Sequence, residues 1–292
     1  MFAGTAALLA ACGTAIDEDA LLASASSQAA QITTDYPAVV MVAMPGGMGM
    51  CTGTFISPRT VLTAAHCTQQ TGSYRVYTSF GAFDTNTVRR LGPGTTDDPS
   101  DLSILIFNQD IADPSLAHVF ALGIAPRAGD LIRIVGYGCS NLITKLGAGL
   151  KRTGTNRLFQ VSDYLELLST PIEKIAATRS GKYILGAENQ AGSCFGDSGG
   201  PMLQLQNDSW KVVGVTHAGG WSGSLIRSLY VNLGRNENQA FIRDVDSEFD
   251  LHLTDGCWTS PDPSACEPMG AGFNLFSFLR PVLLKIFAWF IF

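Results

Sequence analysis

The densest chemistry in the chain lies in eight consecutive residues, Cys194-Phe195-Gly196-Asp197-Ser198-Gly199-Gly200-Pro201. Ser198 is a nucleophile candidate flanked by glycines, with a carboxylate, Asp197, directly before it. Glycines serve where the backbone takes positive φ or closely approaches a ligand. A serine held in such a turn exposes its Oγ while the N–H groups of Gly196 and Ser198 point into one small space. Two such donors are what an oxyanion requires. The same composition also suits a plain surface turn, so the stretch has to be read with the rest of the chain.

A second dense stretch runs from Cys51 to His66 and Cys67. Two cysteines 16 positions apart flank a strand, a turn and a second strand. A bridge between them would pin the loop that carries His66. A catalytic imidazole needs such fixing, because misplacement by about 1 Å can cost ~100-fold in rate. Taken alone, His66 also fits a buried histidine beside a structural disulfide.

The elements around these stretches read as short strands. Apolar runs such as Ala38–Ala43 and Val61–Thr63 are separated by turn residues, the pattern of an all-β chain with Gly-rich turns. At 292 residues and 46% hydrophobic, the chain can hold one large all-β unit or two small domains. Only 15% of residues are charged, against roughly 25% in ordinary soluble domains. The net charge of −6 without any Lys/Arg run argues against nucleic acid or an anionic membrane surface as a partner. No internal repeat or metal-ligand cluster is evident, so neither a metal nor another cofactor is expected.

Thr63-Ala64-Ala65-His66-Cys67 together with Gly196-Asp197-Ser198-Gly199-Gly200-Pro201 resembles the trypsin/chymotrypsin family of serine proteases over roughly residues 36–248. The resemblance implies two packed six-stranded antiparallel β-barrels, at about 36–122 and 123–248, with a C-terminal helix. The triad order His, Asp, Ser then selects Asp101, which opens the apolar run Leu102–Phe107. Asp97 and Asp98, in a Thr/Pro-rich loop, read as solvated turn residues. Ala128–Cys139 is similar to the strand that opens the family's second barrel. Tyr230–Leu233 and Asn236–Asp244 match its last strand and closing helix. The implied activity is that of a serine endopeptidase acting on polypeptides through an acyl-enzyme, with His66, Asp101 and Ser198 as triad and Gly196 and Ser198 as oxyanion donors. A catalytically silent homologue that acts as a binding module is the rival reading, and an esterase is a third.

The resemblance also sorts the seven cysteines. It supports Cys51–Cys67. Cys194 occupies a family position whose usual partner would lie in 202–256, where no cysteine occurs, so Cys139 becomes its expected partner. Cys257 and Cys266 are left to bridge in the tail. The substrate pocket maps to Gly192, Ser193, His217, Gly219 and Ser228. No carboxylate stands at Gly192 or Ser228, so an uncharged, apolar P1 side chain is expected. His217 and Ala218 replace the family's usual Ser-Trp. The Ile-Val-Gly-Gly-like N-terminus whose amine normally pairs with the Asp before the nucleophile has no counterpart between Cys12 and Cys51, and a side-chain donor to Asp197 is one substitute.

Residues 1–11 are small and apolar, and Leu9-Ala10-Ala11-Cys12 resembles the bacterial lipobox, in which the cysteine receives lipid. The leader lacks the basic residue usual in such signals, and an incidental cysteine after an ordinary leader is the alternative. Both readings imply export, to the cell envelope as a lipoprotein or into the medium, where disulfides persist. Residues 12–35 read as a tether and 249–292 as a tail. Its strongly apolar 273–292 segment is long enough to span a bilayer but carries Arg280, Pro281 and Lys285. Membrane attachment is therefore expected through Cys12 lipid, through this segment, or both, with the chain acting as a monomer.

Overall fold

Runs rich in β-branched residues, buried on both faces in Met50–Ser57, Thr60–Thr63 and Ser103–Ile106, build the first sheet. In β2 (Val39–Ala43), Val39, Val40 and Val42 are fully buried, and the strand is central because it pairs with both β3 (Met50–Ser57) and β5 (Tyr74–Thr78). The computed structural model describes residues 30–253, except 96, 97, 99, 124, 125, 142, 143, 164–181, 187–190, 207, 223, 224 and 252. The sheet is completed by β4 (Thr60–Thr63), β6 (Gly81–Thr85), β7 (Thr87–Arg90) and β8 (Ser103–Ile106), in the order β6-β5-β2-β3-β4-β8-β7. Its two edges, β6 and β7, are separated in sequence by Asn86 alone. They act as one bent strand, so seven segments fill six positions around a barrel.

The second sheet contains β9 (Leu131–Gly136), β10 (Arg152–Asp163), β11 (Lys182–Gly186), β12 (Pro201–Gln206), β13 (Ser209–Ser222) and β14 (Leu225–Asn232). The order β10-β11-β14-β13-β12-β9 closes on itself because β9 also pairs with β10. Closure leaves no exposed edge among these six strands. All strand pairings are antiparallel. The expected double barrel is therefore the architecture found.

Each barrel is gripped by a terminal segment that crosses from the other side. Gln31 and Ile32 form β1 against Thr153 and Arg152 of β10. Thr33 N–H donates to Lys151 O at 3.0 Å, and Lys151 Nζ donates to the carbonyls of Asp35 and Tyr36. The end of the expected 12–35 tether is thus ordered, because its backbone completes the second barrel's sheet. At the other terminus, helix α1 (Asn236–Phe249) buries Ile242 and Val245 in the same apolar core as Phe55 and Leu105. Arg59 donates to the carbonyls of Phe249 and Asp250, while Arg89 pairs with Glu248 and lies 4.6 Å from the Phe249 ring centroid. Leu251 and Leu253 are buried too, so the tail starts later than residue 249. Cys12, Cys257, Cys266 and the 273–292 segment lie outside the described residues. Among the described residues, no helix is long and apolar enough to cross a membrane.

Phe55 is 0% exposed and packs near Phe80 and Phe107, with ring centroids 6.3 and 6.2 Å away. Phe55→Ala should lower the unfolding free energy by about 3–5 kcal/mol. Leu146→Ala, at a position 68% exposed, should change it by less than about 0.5 kcal/mol. Urea unfolding of both variants checks the contrast.

Candidate active site

His66 lies on a one-turn 3-10 helix, Ala65–Thr68, that follows β4. The Cys51–Cys67 disulfide ties that turn to the start of β3. Asp101 directly precedes Leu102 and β8, where its side chain is 0% exposed. Its Oδ1 accepts the backbone N–H of His66 at 2.8 Å, and its Oδ2 lies 2.6 Å from His66 Nδ1. Burial alone would push this carboxyl up, but hydrogen bonds from His217 and His66 outweigh it and hold Asp101 well below the usual carboxylate range. An ionised carboxylate accepts only, so His66 carries its proton on Nδ1 and presents Nε2 as a base.

Ser198 follows the Cys139–Cys194 disulfide. Gly196 has φ +102°, a conformation open mainly to glycine. Among the described residues, neither Gly196 N–H nor Ser198 N–H donates to a protein acceptor. Both disulfides match the expected pairings. His66, Ser198 and Gly196 line one groove of about 430 Å³ with Met44, Met50, Phe195, Thr216 and Gly219.

Thr52, which sequence reasoning passed over, joins the barrels behind this groove. Its Oγ1 donates to Gly196 O at 2.8 Å and accepts Tyr137 N–H at 3.0 Å, and its N–H donates to Ser198 O at 2.8 Å. Thr63 Oγ1 donates to the Thr52 carbonyl. A small hydroxylated residue beside a cysteine gives no signal in one dimension, since its partners in the second barrel lie 85 to 146 positions away.

The pocket residues separate into different environments. Ser193 and Gly219 line the groove, whereas Gly192 lines a smaller cavity shared with Asp197. Ser228 Oγ accepts Ser193 N–H at 2.7 Å, so its hydroxyl supports the pocket wall. His217 has a side chain 2% exposed and directs Nδ1 to Asp101 Oδ2 at 2.6 Å. Its imidazole Nδ1 is therefore engaged by the carboxylate. The set His66, Asp101 and His217 also contains ligand types for a cation, but tetrahedral bonds of about 2.0–2.1 Å would spread the ligand atoms to roughly 3.3 Å. The N···O distances of 2.6 Å fit shared protons instead.

Among the described residues, Asp197 is satisfied by the backbone rather than by a side-chain donor. Oδ1 accepts Gly138 N–H at 2.7 Å and Oδ2 accepts Cys194 N–H at 2.8 Å. Position 138 requires glycine, because a Cβ there would lie 2.3 Å from Asp197 Cγ. Arg152 holds this loop by donating from Nη1 to the carbonyls of Gly138, Gly147 and Leu150. Asp98 also departs from expectation. It is 3% exposed and accepts the N–H groups of Gly94 and Ser100, organising the loop before Asp101.

A serine that lines one groove with an imidazole oriented by a buried carboxylate defines a serine-hydrolase type of centre. The Trypsin family model matches residues 26–233. A trypsin from Saccharopolyspora erythraea is 30% identical over 199 residues, covering 63% of this chain and 82% of the relative. The chain belongs to the trypsin family and is a trypsin-like serine endopeptidase.

Burial pushes the Asp197 carboxyl up to about 6, against the opposing pull of the Cys194 and Gly138 amides and Arg152. The folded protein therefore holds this proton more tightly than the unfolded chain, whose Asp titrates near roughly 3.9. The stability contribution is fully present below that lower value and is lost as pH rises through about 6. In a Ser198→Ala background, the unfolding free energy relative to an additional Asp197→Ala variant should fall by about 2 kcal/mol between pH 4 and pH 7. Urea titrations across that range measure it, and a flat difference would refute it.

Proposed function

We propose that the protein cleaves polypeptides through an acyl-enzyme on Ser198, with His66 as base and Asp101 as its orienting carboxylate. The observation that carries this reading is the 2.6 Å contact between His66 Nδ1 and Asp101 Oδ2, in a groove that also contains Ser198 and the unengaged amides. Ser198 Oγ attacks the peptide carbonyl and its proton passes to His66 Nε2. The carbonyl oxygen takes the displaced electron pair and is held by Gly196 and Ser198 N–H, one such donor being worth about 3–4 kcal/mol. Collapse breaks the C–N bond, and His66 returns the proton to the departing amine. Water then repeats the sequence on the acyl-serine and releases the acid.

The groove supports an uncharged, apolar P1 preference. Met44, Met50, Phe195 and Ala218 supply its apolar surface, and no carboxylate occurs among its described lining residues. An Arg or Lys side chain would enter without a counter-charge. Ser198→Ala should abolish fluorophosphonate labelling and lower kcat by about 10⁶-fold. A P1-varied peptide library should be cut after apolar residues, and preferential cleavage after Arg or Lys would overturn the pocket assignment.

We also propose that the protein works outside the cytoplasm without needing a new N-terminus to form its oxyanion site. Two disulfides suit an oxidising compartment, and Asp197 already has two amide donors without an N-terminal amine. This favours an active enzyme over a silent binding module. Mass spectrometry of active protein should find the mature N-terminus at Cys12, with lipid attached. Activity appearing only after cleavage between Cys12 and Ala30 would reject independence from processing.

A further inference from the structure

We propose that His217 is a positioning residue for the triad: a second imidazole donor that holds Asp101 and divides its charge with His66. The proposal rests on the serine-protease reading of the site and adds a residue to it.

The local backbone explains why a residue of β13 reaches a carboxylate of the other barrel. The pairing of β13 with β14 shifts register between Thr216 and Ala218, which makes His217 the bulged residue. A bulge re-aims a side chain away from the regular alternation of a strand. Thr216 is held on both sides of this point: its N–H donates to Gly200 O and its O accepts Gly199 N–H, each at 2.8 Å. The bulge is therefore anchored to the nucleophile loop.

The proton positions follow from the acceptor. Asp101 is ionised and can only accept, yet its single oxygen Oδ2 has an imidazole nitrogen at 2.6 Å from each of two histidines. Both Nδ1 atoms must then carry protons. The two rings meet edge to face, with centroids 6.2 Å apart and an interplanar angle of 78°. His66 is 27% exposed on its side chain and His217 is 2% exposed. Burial penalises charge, so the proton taken up during catalysis belongs on His66, and His217 remains a neutral donor.

Two consequences distinguish this role from packing. Losing the His217 donor frees Asp101 to turn, which impairs the orientation of His66 and lowers kcat without a matching change in KM. Losing it also concentrates the Asp101 charge on His66, so the acid limb of kcat/KM moves to higher pH. Ionisable groups on packed elements include Tyr230 on β14, whose hydroxyl is pushed up by burial, and Asp197 in the loop before β12. Asp197 titrates in every variant, so the informative quantity is the difference between variants.

The test compares His217→Asn, which retains an N–H donor and does not titrate, with His217→Leu, which retains bulk alone. The Asn variant should keep kcat within about 3-fold of the native value. The Leu variant should lose about 10- to 100-fold in kcat at nearly constant KM, with its acid limb about half a pH unit higher. Equal losses in both, or a Leu variant with native kcat and pH profile, would overturn the proposal. A measurement on Ser198→Ala protein with ¹⁵N-histidine label needs no change at His217 and no activity. Two low-field Nδ1–H resonances, from His66 and His217, are expected, and a single one would overturn the inference. Failure of Ser198→Ala to abolish activity would instead reject the underlying assignment of the nucleophile.

Discussion

A carboxylate with no exposed surface must be given donors or lose its charge, and Asp101 receives them from both barrels. His66 supplies a ring N–H and a backbone N–H from the first barrel, and His217 supplies a ring N–H from the second. Removing one partner would leave a buried charge under-satisfied. The relative placement of the two barrels is therefore tied to the same hydrogen bonds that orient the catalytic base.

Around that centre the fold repeats one device, in which a polar side chain of one segment satisfies backbone groups of a distant one. Thr52 holds the carbonyl of Gly196 and joins β3 to the nucleophile loop. Asp197 collects the amides of Gly138 and Cys194, and Arg152 collects the carbonyls around Gly138. These contacts keep an irregular loop, with its unengaged Gly196 and Ser198 amides, in one conformation. Preorganisation of this sort is the main source of electrostatic catalysis, because the donors need not rearrange when the oxyanion forms.

The two buried aspartates stand in opposite electrostatic situations. Asp101 faces two imidazoles and is held below the usual carboxylate range, whereas Asp197 faces neutral amides with Arg152 nearby and is pushed up to about 6. Amides stabilise a carboxylate through dipoles, which offset desolvation less fully than paired charges do. The chain thus holds its oxyanion loop with a carboxyl that titrates far above the triad aspartate.

Three local runs, Thr63–Cys67, Asp101–Phe107 and Cys194–Pro201, carried the family resemblance, and that resemblance implied the double barrel, the triad residues and the two disulfide pairings. A strand pattern with period 2 likewise declares itself in sequence. Contacts made by single residues across long separations were not legible. Asp98 sat in a polar loop and gave no sign of burial, Gln31 and Ile32 looked like tether, and Thr52 carried no motif. His217 was visible as a departure from the family pattern, yet its role depended on a one-residue bulge in β13. A side chain's direction on a strand reverses with a single shift of register, and that shift is set by tertiary pairing with β14. Sequence alone determined which chemistry the chain carries. Only the packed barrels decided that a second histidine turns inward to share the triad's carboxylate.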